Sequence, residues 1–561
     1  MKSGRVLIAL ALVAAAGRAH AQPVPGPANP ERVPERFQPP PAPKSTAPVT
    51  VPAPNILVPP EQAAATHFVL KSVVFDGATV FKPADFASLY SSLLGKDVTL
   101  LDIYRLRDAV TTKYRAAGYI LSQAIIPPQQ IGDGIAHIRV IEGYISGISV
   151  EGASDRRGLI RATAAKISAE RPLNVRTLER YVLLIGDLPG VTVNTVLKPS
   201  ADQPGAAELV VVVNRKSFQG SLSADNRGSI AIGPEEFTVG LEVNSILGLD
   251  EQTGVEYATT AQTRELQYLS IHHDEVLNAE GLRLSFSGSE SWSHPGGTLS
   301  VLNPFGRGDT WRLHLAEPVI RSRARSLTLG LGLNAQDSRT DLLSVTVAKD
   351  RVRFFSFDLA FDFADTALGD ARPAQSLIRA ELSQGFNGLG ATPSGSPNLS
   401  RANGRSDFTK LNLDALRIQS VAPRVSVALG AQVQLTNDSL LSSQQCGLGG
   451  SRFGRGYEPS ELTGDVCGAL SIEGRYTLPL KADFIQTPQL YAFWEGGIAS
   501  LNHPLLGEPQ RQSLASAGVG FRFKLAHRIT AEFELAKPLT RPIASRGNKN
   551  LRPLFAVSTQ F

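Results

Sequence analysis

The sequence predicts a membrane all-β fold: a transmembrane β-barrel of about sixteen strands, preceded by two small periplasmic α+β units. Three observations predict it. The chain opens with an export signal over residues 1–21. Residues 66–216 then hold the order strand, helix, helix, strand, strand twice in succession. From Ser217 to Phe561 helical periodicity stops, and segments of strand character follow one another at about the ten-residue length that a tilted membrane strand needs.

The export signal has three parts. Met1-Lys2-Ser3-Gly4-Arg5 is positive, Val6 to Ala16 is apolar, and Ala19-His20-Ala21 is a small-x-small site, so cleavage is expected after Ala21. That apolar run is too short to span a bilayer as a permanent helix. The remainder lacks an uninterrupted apolar stretch of about 18 residues, which excludes an ordinary helical membrane protein but not a barrel. Residues 22–65 are proline-rich, with Pro39-Pro40-Pro41 and Pro59-Pro60. Proline lacks an amide donor and fixes φ, so an extended, largely unpacked linker is expected, with a short helix over Glu31–Gln38 interrupted by Pro34.

The first unit spans 66–142. Phe68 to Phe75 reads as a strand, and Pro83 to Leu94 and Leu101 to Ala117 as helices, the second with Leu101, Tyr104, Leu106, Val110 and Tyr114 on one face. Strands near 122–126 and 135–141 follow. The second unit, 143–216, repeats the order: a strand at 144–150, helices at 156–169 and 174–186, and strands at 191–198 and 207–214.

In the barrel region, 217–561, period-two alternation is clearest where Leu327, Leu329, Leu331 and Leu333 interleave with Ser326, Thr328, Gly330 and Gly332, and again from Val425 to Leu435. A soluble sandwich alternates too; the connections favour the barrel. Short joins at 322–324 and 421–423 intermix with long ones at 387–406 and 437–467, as when tight turns face one side of a membrane and long loops the other. The chain closes on Phe561, with Phe555 and Val557 before it, an aromatic ending expected of a bacterial outer-membrane barrel. The net charge of +5 is small and its basic residues are dispersed, so no nucleic-acid partner is expected. Neither the acidic pairs nor His272-His273 stand in a catalytic or ligating pattern, and no enzyme activity, metal or cofactor is expected. Cys446 and Cys467 flank one long loop of an exported chain, and either pair as a disulfide or remain two thiols.

That loop carries the most specific motif, Arg455-Gly456-Tyr457. With Phe493-Trp494-Glu495-Gly496-Gly497 downstream, the chain resembles the two-partner secretion transporters, the TpsB family of ShlB/FhaC/HecB-type haemolysin secretion and activation proteins. Arg-Gly-Tyr matches that family's loop-six motif, with Gly454 in place of its usual small aliphatic residue. Phe493, Glu495 and Gly497 match the barrel-wall motif Phe-x-Asp-x-Gly of strand thirteen, with glutamate for aspartate. Gly118 to Gln129 and Val140-Ile141-Glu142-Gly143 resemble the junction of two POTRA domains, and Asp225-Asn226-Arg227-Gly228 the first barrel strand. The resemblance implies POTRA domains at 66–142 and 143–216, an Arg455–Glu495 pair holding loop six in the lumen, and secretion of a TpsA-like exoprotein as substrate. It further implies outer-membrane lipid and the barrel-assembly machinery as partners, and a monomer. A general barrel-assembly factor and a passive diffusion porin are the alternatives.

Overall fold

The computed structural model describes residues 25–38, 42–44, 63–130, 133–152, 154–200, 202–480, 484–526 and 528–561. The signal expected over 1–21 and much of the proline-rich stretch lie outside them.

In the first tandem unit, His67–Val69 pairs with Asp97–Thr99, while Ile135–Ile141 runs between Ser72–Asp76 (parallel) and Gln123–Ile125 (antiparallel). The single strand expected over 68–75 is therefore two. Leu70 is fully buried, its carbonyl accepts from Gly95, and Lys71 donates to Gly134 at 2.7 Å, so the chain changes sheets at that point. The strand at 97–99 is too short to carry a readable alternation. The long helix, Leu100–Ala116, starts on a capping box in which Thr99 and Asp102 each bond the other's backbone N–H. Its buried face is Ile103, Leu106, Arg107, Val110, Thr111 and Tyr114. Leu101 and Tyr104, expected on that face, stay half-buried at its margin, because the stripe descends at 103, 106, 110 and 114.

The second unit has strands Tyr144–Gly152, Val191–Pro199 and Ala206–Arg215, the last central, and helices Leu159–Ala169 and Val175–Gly186. Ile160, Ile167, Leu173, Ile185, Leu209 and Val211 are fully buried between helices and sheet. At the joint between the units Val175 donates to the Gly118 carbonyl (2.8 Å), the Asn174 side chain to the Ala117 carbonyl (3.1 Å) and the Gly143 amide to the Ser122 hydroxyl (3.0 Å). A Cβ on Gly143 would lie 2.4 Å from that of Leu121, so the turn admits no side chain there.

The barrel is closed and antiparallel, with sixteen strands. Strands one to eight are Phe218–Asp225, Glu236–Asn244, Glu251–Thr260, Leu266–Val276, Arg283–Ser293, Phe305–Arg321, Arg325–Leu342 and Val345–Asp365. Strands nine to sixteen are Ala374–Gly385, Thr409–Ala422, Val425–Thr436, Val466–Thr477, Ile485–Ser500, Arg511–Leu525, Ile529–Pro538 and Arg552–Gln560. Leu331, Leu429, Leu435, Phe357 and Phe533 point outward and are exposed, whereas Gly330, Gly332, Asn334 and Gln434 are buried on the lumen side. The inverted pattern, apolar out and polar in, is that of a barrel in lipid.

The second unit sits on the rim formed by the short turns. Asp187 receives Arg321 in a two-pronged pair (2.6 and 2.7 Å), and Glu280 receives Lys166 (3.0 Å), Arg180 (3.2 Å) and Tyr181 (3.0 Å).

The expectation of an extended, largely unpacked segment across 22–65 fails for 25–38. These residues form short helical turns, Gly26–Ala28, Pro30–Arg32 and Val33–Phe37, packed inside the barrel. Pro34 does not interrupt the last helix, because it falls in the first turn, where an amide would go unpaired. Ala28 and Val33 are buried against Ile232, Ala258, Leu266 and Tyr268, and Phe37 stacks on Tyr268 with centroids 4.8 Å apart. Glu31 accepts from Ser338, Arg36 pairs with Glu236 at 3.2 Å, and the Lys44 amide reaches Asp362 at 3.1 Å. Apolar and charged groups of the lumen wall thus supply the packing that composition alone does not announce.

Candidate functional site

Loop six joins strands eleven and twelve. Its stem is a small hairpin, Cys446–Leu448 against Leu462–Gly464, and Cys446 is disulfide-bonded to Cys467 on strand twelve. The disulfide, one of the two readings open from sequence, fixes the stem to the wall. Gly449 (φ 113°), Gly450 (φ 88°) and Gly454 (φ 89°) take left-handed backbone that turns the tip into the lumen.

At that tip Arg455 meets three carboxylates on three strands. Its Nε donates to Glu495 on strand thirteen at 2.7 Å, and its Nη1 lies 2.9 Å from both Glu473 on strand twelve and Glu534 on strand fifteen. Glu495 also accepts from the amides of Gly454 (2.7 Å) and Arg455 (2.8 Å). The guanidinium carbon stands 3.5 Å over the Phe493 ring. Glutamate in the aspartate's place thus reaches its partner at full hydrogen-bond closeness.

The motif glycines mark close approaches. A Cβ on Gly456 would fall 2.8 Å from Ser516 Cβ and 2.9 Å from the Pro538 nitrogen, and one on Gly497 would fall 2.8 Å from Leu448 of the loop stem. Tyr457 is fully buried; its hydroxyl donates to the Ala515 carbonyl at 3.1 Å and accepts from the Arg541 amide at 3.2 Å. The N-terminal segment reaches the same loop, because Arg32 donates to the Gln445 carbonyl.

Glu473 and Glu534, which sequence reasoning did not single out, belong to this site with Arg475, Arg522, Arg227 and Glu532. A signal existed: Glu473-x-Arg475 and Glu532-x-Glu534 place like-facing charges at period two inside strands whose other face is apolar. Phe561 lies at the opposite end, exposed beside Gly220, with which it exchanges two backbone bonds of 3.0 Å.

A description of the POTRA domain, ShlB-type, matches residues 68–143, and one of the haemolysin secretion/activation protein ShlB/FhaC/HecB matches residues 206–523. The chain belongs to the ShlB/FhaC/HecB family. Among curated relatives it is similar to the heme/hemopexin transporter protein HuxB of Haemophilus influenzae strain 86-028NP, 24% identical over 471 residues that cover 82% of this chain and 81% of that one. It is also similar to the outer membrane transporter CdiB of Escherichia coli, 24% identical over 512 residues, 87% of this chain and 83% of that one. The solved structure of CdiB from Escherichia coli superposes with a TM-score of 0.71 at 21% identity, covering 93% of this chain and 94% of that one, a likeness of fold. As a two-partner secretion transporter of this family, the protein is an outer-membrane barrel with its tandem units in the periplasm. The short-turn rim is therefore the periplasmic one, and loop six enters from outside.

Proposed function

We propose that this transporter receives one unfolded exoprotein from the periplasm through its tandem POTRA units and passes it through the barrel to the cell surface. Loop six, held by Arg455, and residues 25–38 close the lumen at rest. The observation that carries this reading is a lumen occupied by the loop-six tip and the N-terminal segment, both held there by hydrogen bonds and ion pairs, an arrangement that opens by exchange of partners while the disulfide keeps the loop's stem on the wall. A passive porin needs an open lumen, and neither segment would serve it.

In the periplasmic units, Ser72–Asp76 and Val191–Pro199 are sheet-edge strands. An extended cargo segment added there gains backbone hydrogen bonds without needing a fixed sequence. Folding of the cargo outside then gives the passage its direction.

Deletion of the gene, followed by comparison of surface and secreted proteins with wild type, tests the reading. Loss of one large exoprotein with other outer-membrane proteins unchanged is the expected result. A broad fall in outer-membrane barrels would instead indicate an assembly factor, and altered small-solute uptake alone a porin.

A further inference from the structure

The barrel closes where strand one meets strand sixteen, and this is its weakest pairing. The ladder there covers Ser221–Asp225 against Ala556–Gln560, five residue pairs, extended by the Gly220–Phe561 backbone bonds at one end and by the Asn226 amide donating to the Phe555 carbonyl (3.3 Å) at the other, whereas strands seven and eight pair along Arg325–Leu342. Toward the outer end strand sixteen carries Pro553, which has no amide to donate. Ladder pairing gives way to the Asn226 side chain, which accepts from the Phe555 amide at 2.8 Å and donates to the Pro553 carbonyl at 3.1 Å.

The next residue is Arg227. Its guanidinium does not stop at strand sixteen but crosses it on the lumen side to strand fifteen, bonding Glu532 at 2.8 Å and Glu534. Glu534 is fully buried and holds Arg455 through its other oxygen, Oε1. One carboxylate therefore serves both the closing seam and the loop-six anchor. When Arg455 leaves with loop six, Glu534 keeps Arg227 as counter-charge, so the wall retains a buried carboxylate that is still paired.

We propose that Arg227 is the seam-locking residue of this barrel: through Glu532 and Glu534 it staples strand one to strand fifteen across strand sixteen, and it keeps the barrel closed while loop six moves. A passing chain is then confined to the lumen and cannot part the wall sideways into the bilayer.

Hydrogen exchange on the purified full-length protein in detergent tests this without reference to cargo. In Arg227→Gln the amides that pair across the seam, those of Leu222, Ala224, Val557 and Thr559, should exchange roughly tenfold faster or more, the range set by loss of a charge-assisted hydrogen bond in a local opening. Amides between strands seven and eight should be unchanged. In Arg455→Ala the seam should exchange as in wild type, because Arg227 remains on Glu534. Wild-type seam exchange in Arg227→Gln, or a seam loosened by Arg455→Ala as much as by Arg227→Gln, overturns the proposal. A rescue arm rests on the secretion reading and separates seam closure from mere support of Glu534. Ser223 and Ser558 are register partners, so Ser223→Cys with Ser558→Cys, oxidised, should restore secretion to Arg227→Gln. Failure to restore it in a protein shown to be cross-linked would assign Arg227 to the loop-six anchor instead. For a variant that does not insert, Arg227→Lys supplies the same comparison, with charge kept but the longer reach lost by which Nη2 meets both Glu532 and Glu534 across strand sixteen.

Discussion

Arg455 is one cation shared by Glu473, Glu495 and Glu534, and the guanidinium is the side chain whose planar fork serves several carboxylates at once. Its removal leaves Glu495 without a cationic partner, while Glu473 keeps Arg475 and Arg522 and Glu534 keeps Arg227, a loss of about 3–5 kcal/mol for a broken buried pair. Arg455→Ala is therefore expected to abolish secretion while the barrel still inserts, checked by surface export beside heat-modifiable migration of the outer-membrane protein. Arg455→Lys should recover little, because one ammonium cannot repeat the geometry. Normal export by an inserted Arg455→Ala protein would remove the anchor role. The Arg455–Glu495 pair was implied by the resemblance to the family; Glu473 and Glu534 were not singled out, because charges at period two on a strand read the same whether they face lumen water or a partner.

Among elements, the first periplasmic unit is tied together by Glu142, the residue before its final turn. The carboxylate accepts from the amides of Thr79 (2.7 Å) and Val80 (2.9 Å) and from the Tyr114 hydroxyl (2.7 Å). Burial pushes its carboxyl up, but these bonds outweigh burial and hold it below the ordinary value of 4.5. A depressed folded value stabilises fully above the unfolded pKa and is lost as pH falls through the folded one. Protection of the Thr79 and Val80 amides should therefore be constant near neutrality and drop in acid, and Glu142→Gln should show the acid level of protection already at neutral pH. Loop six offers a second test at this scale. Its disulfide closes a separation of 21 residues, worth about 3 kcal/mol in the chain-entropy view. Cys446→Ala with Cys467→Ala should leave the barrel inserted and make the loop tip faster to cut in limited proteolysis. The helices and the longer strands of these units were readable from periodicity, whereas the three-residue strand at 97–99 and the sheet change at Leu70 were not, the latter because both short strands share one apolar run.

For the whole molecule, the docking of the second POTRA unit on the rim rests on several partly exposed ion pairs, each worth only about 0–1 kcal/mol. Asp187→Ala alone should change little, because Glu280 still gathers Lys166, Arg180 and Tyr181. Asp187→Ala with Glu280→Ala should broaden the distance distribution between spin labels on that unit and the barrel. An unchanged distribution in the double variant would place the docking energy in the contacts that remain, the Arg157–Glu275 and Arg215–Asp250 pairs and the packing of Val276 on the unit's core.

The sequence by itself determined the tandem units and the number of barrel strands, because both are written in local pattern: period 3.6, period two, and turn length; the pairing of loop six with strand thirteen came from the resemblance to the family. Tertiary structure alone decided that residues 25–38 pack inside the lumen, that four acidic and four basic side chains, Glu473, Glu495, Glu532 and Glu534 with Arg227, Arg455, Arg475 and Arg522, share one network, and that Arg227 reaches over strand sixteen. The reason is closure. Bending sixteen strands into a ring brings Arg227 beside Glu534, 307 residues away, and no local period records which wall a side chain will face once the ring has shut.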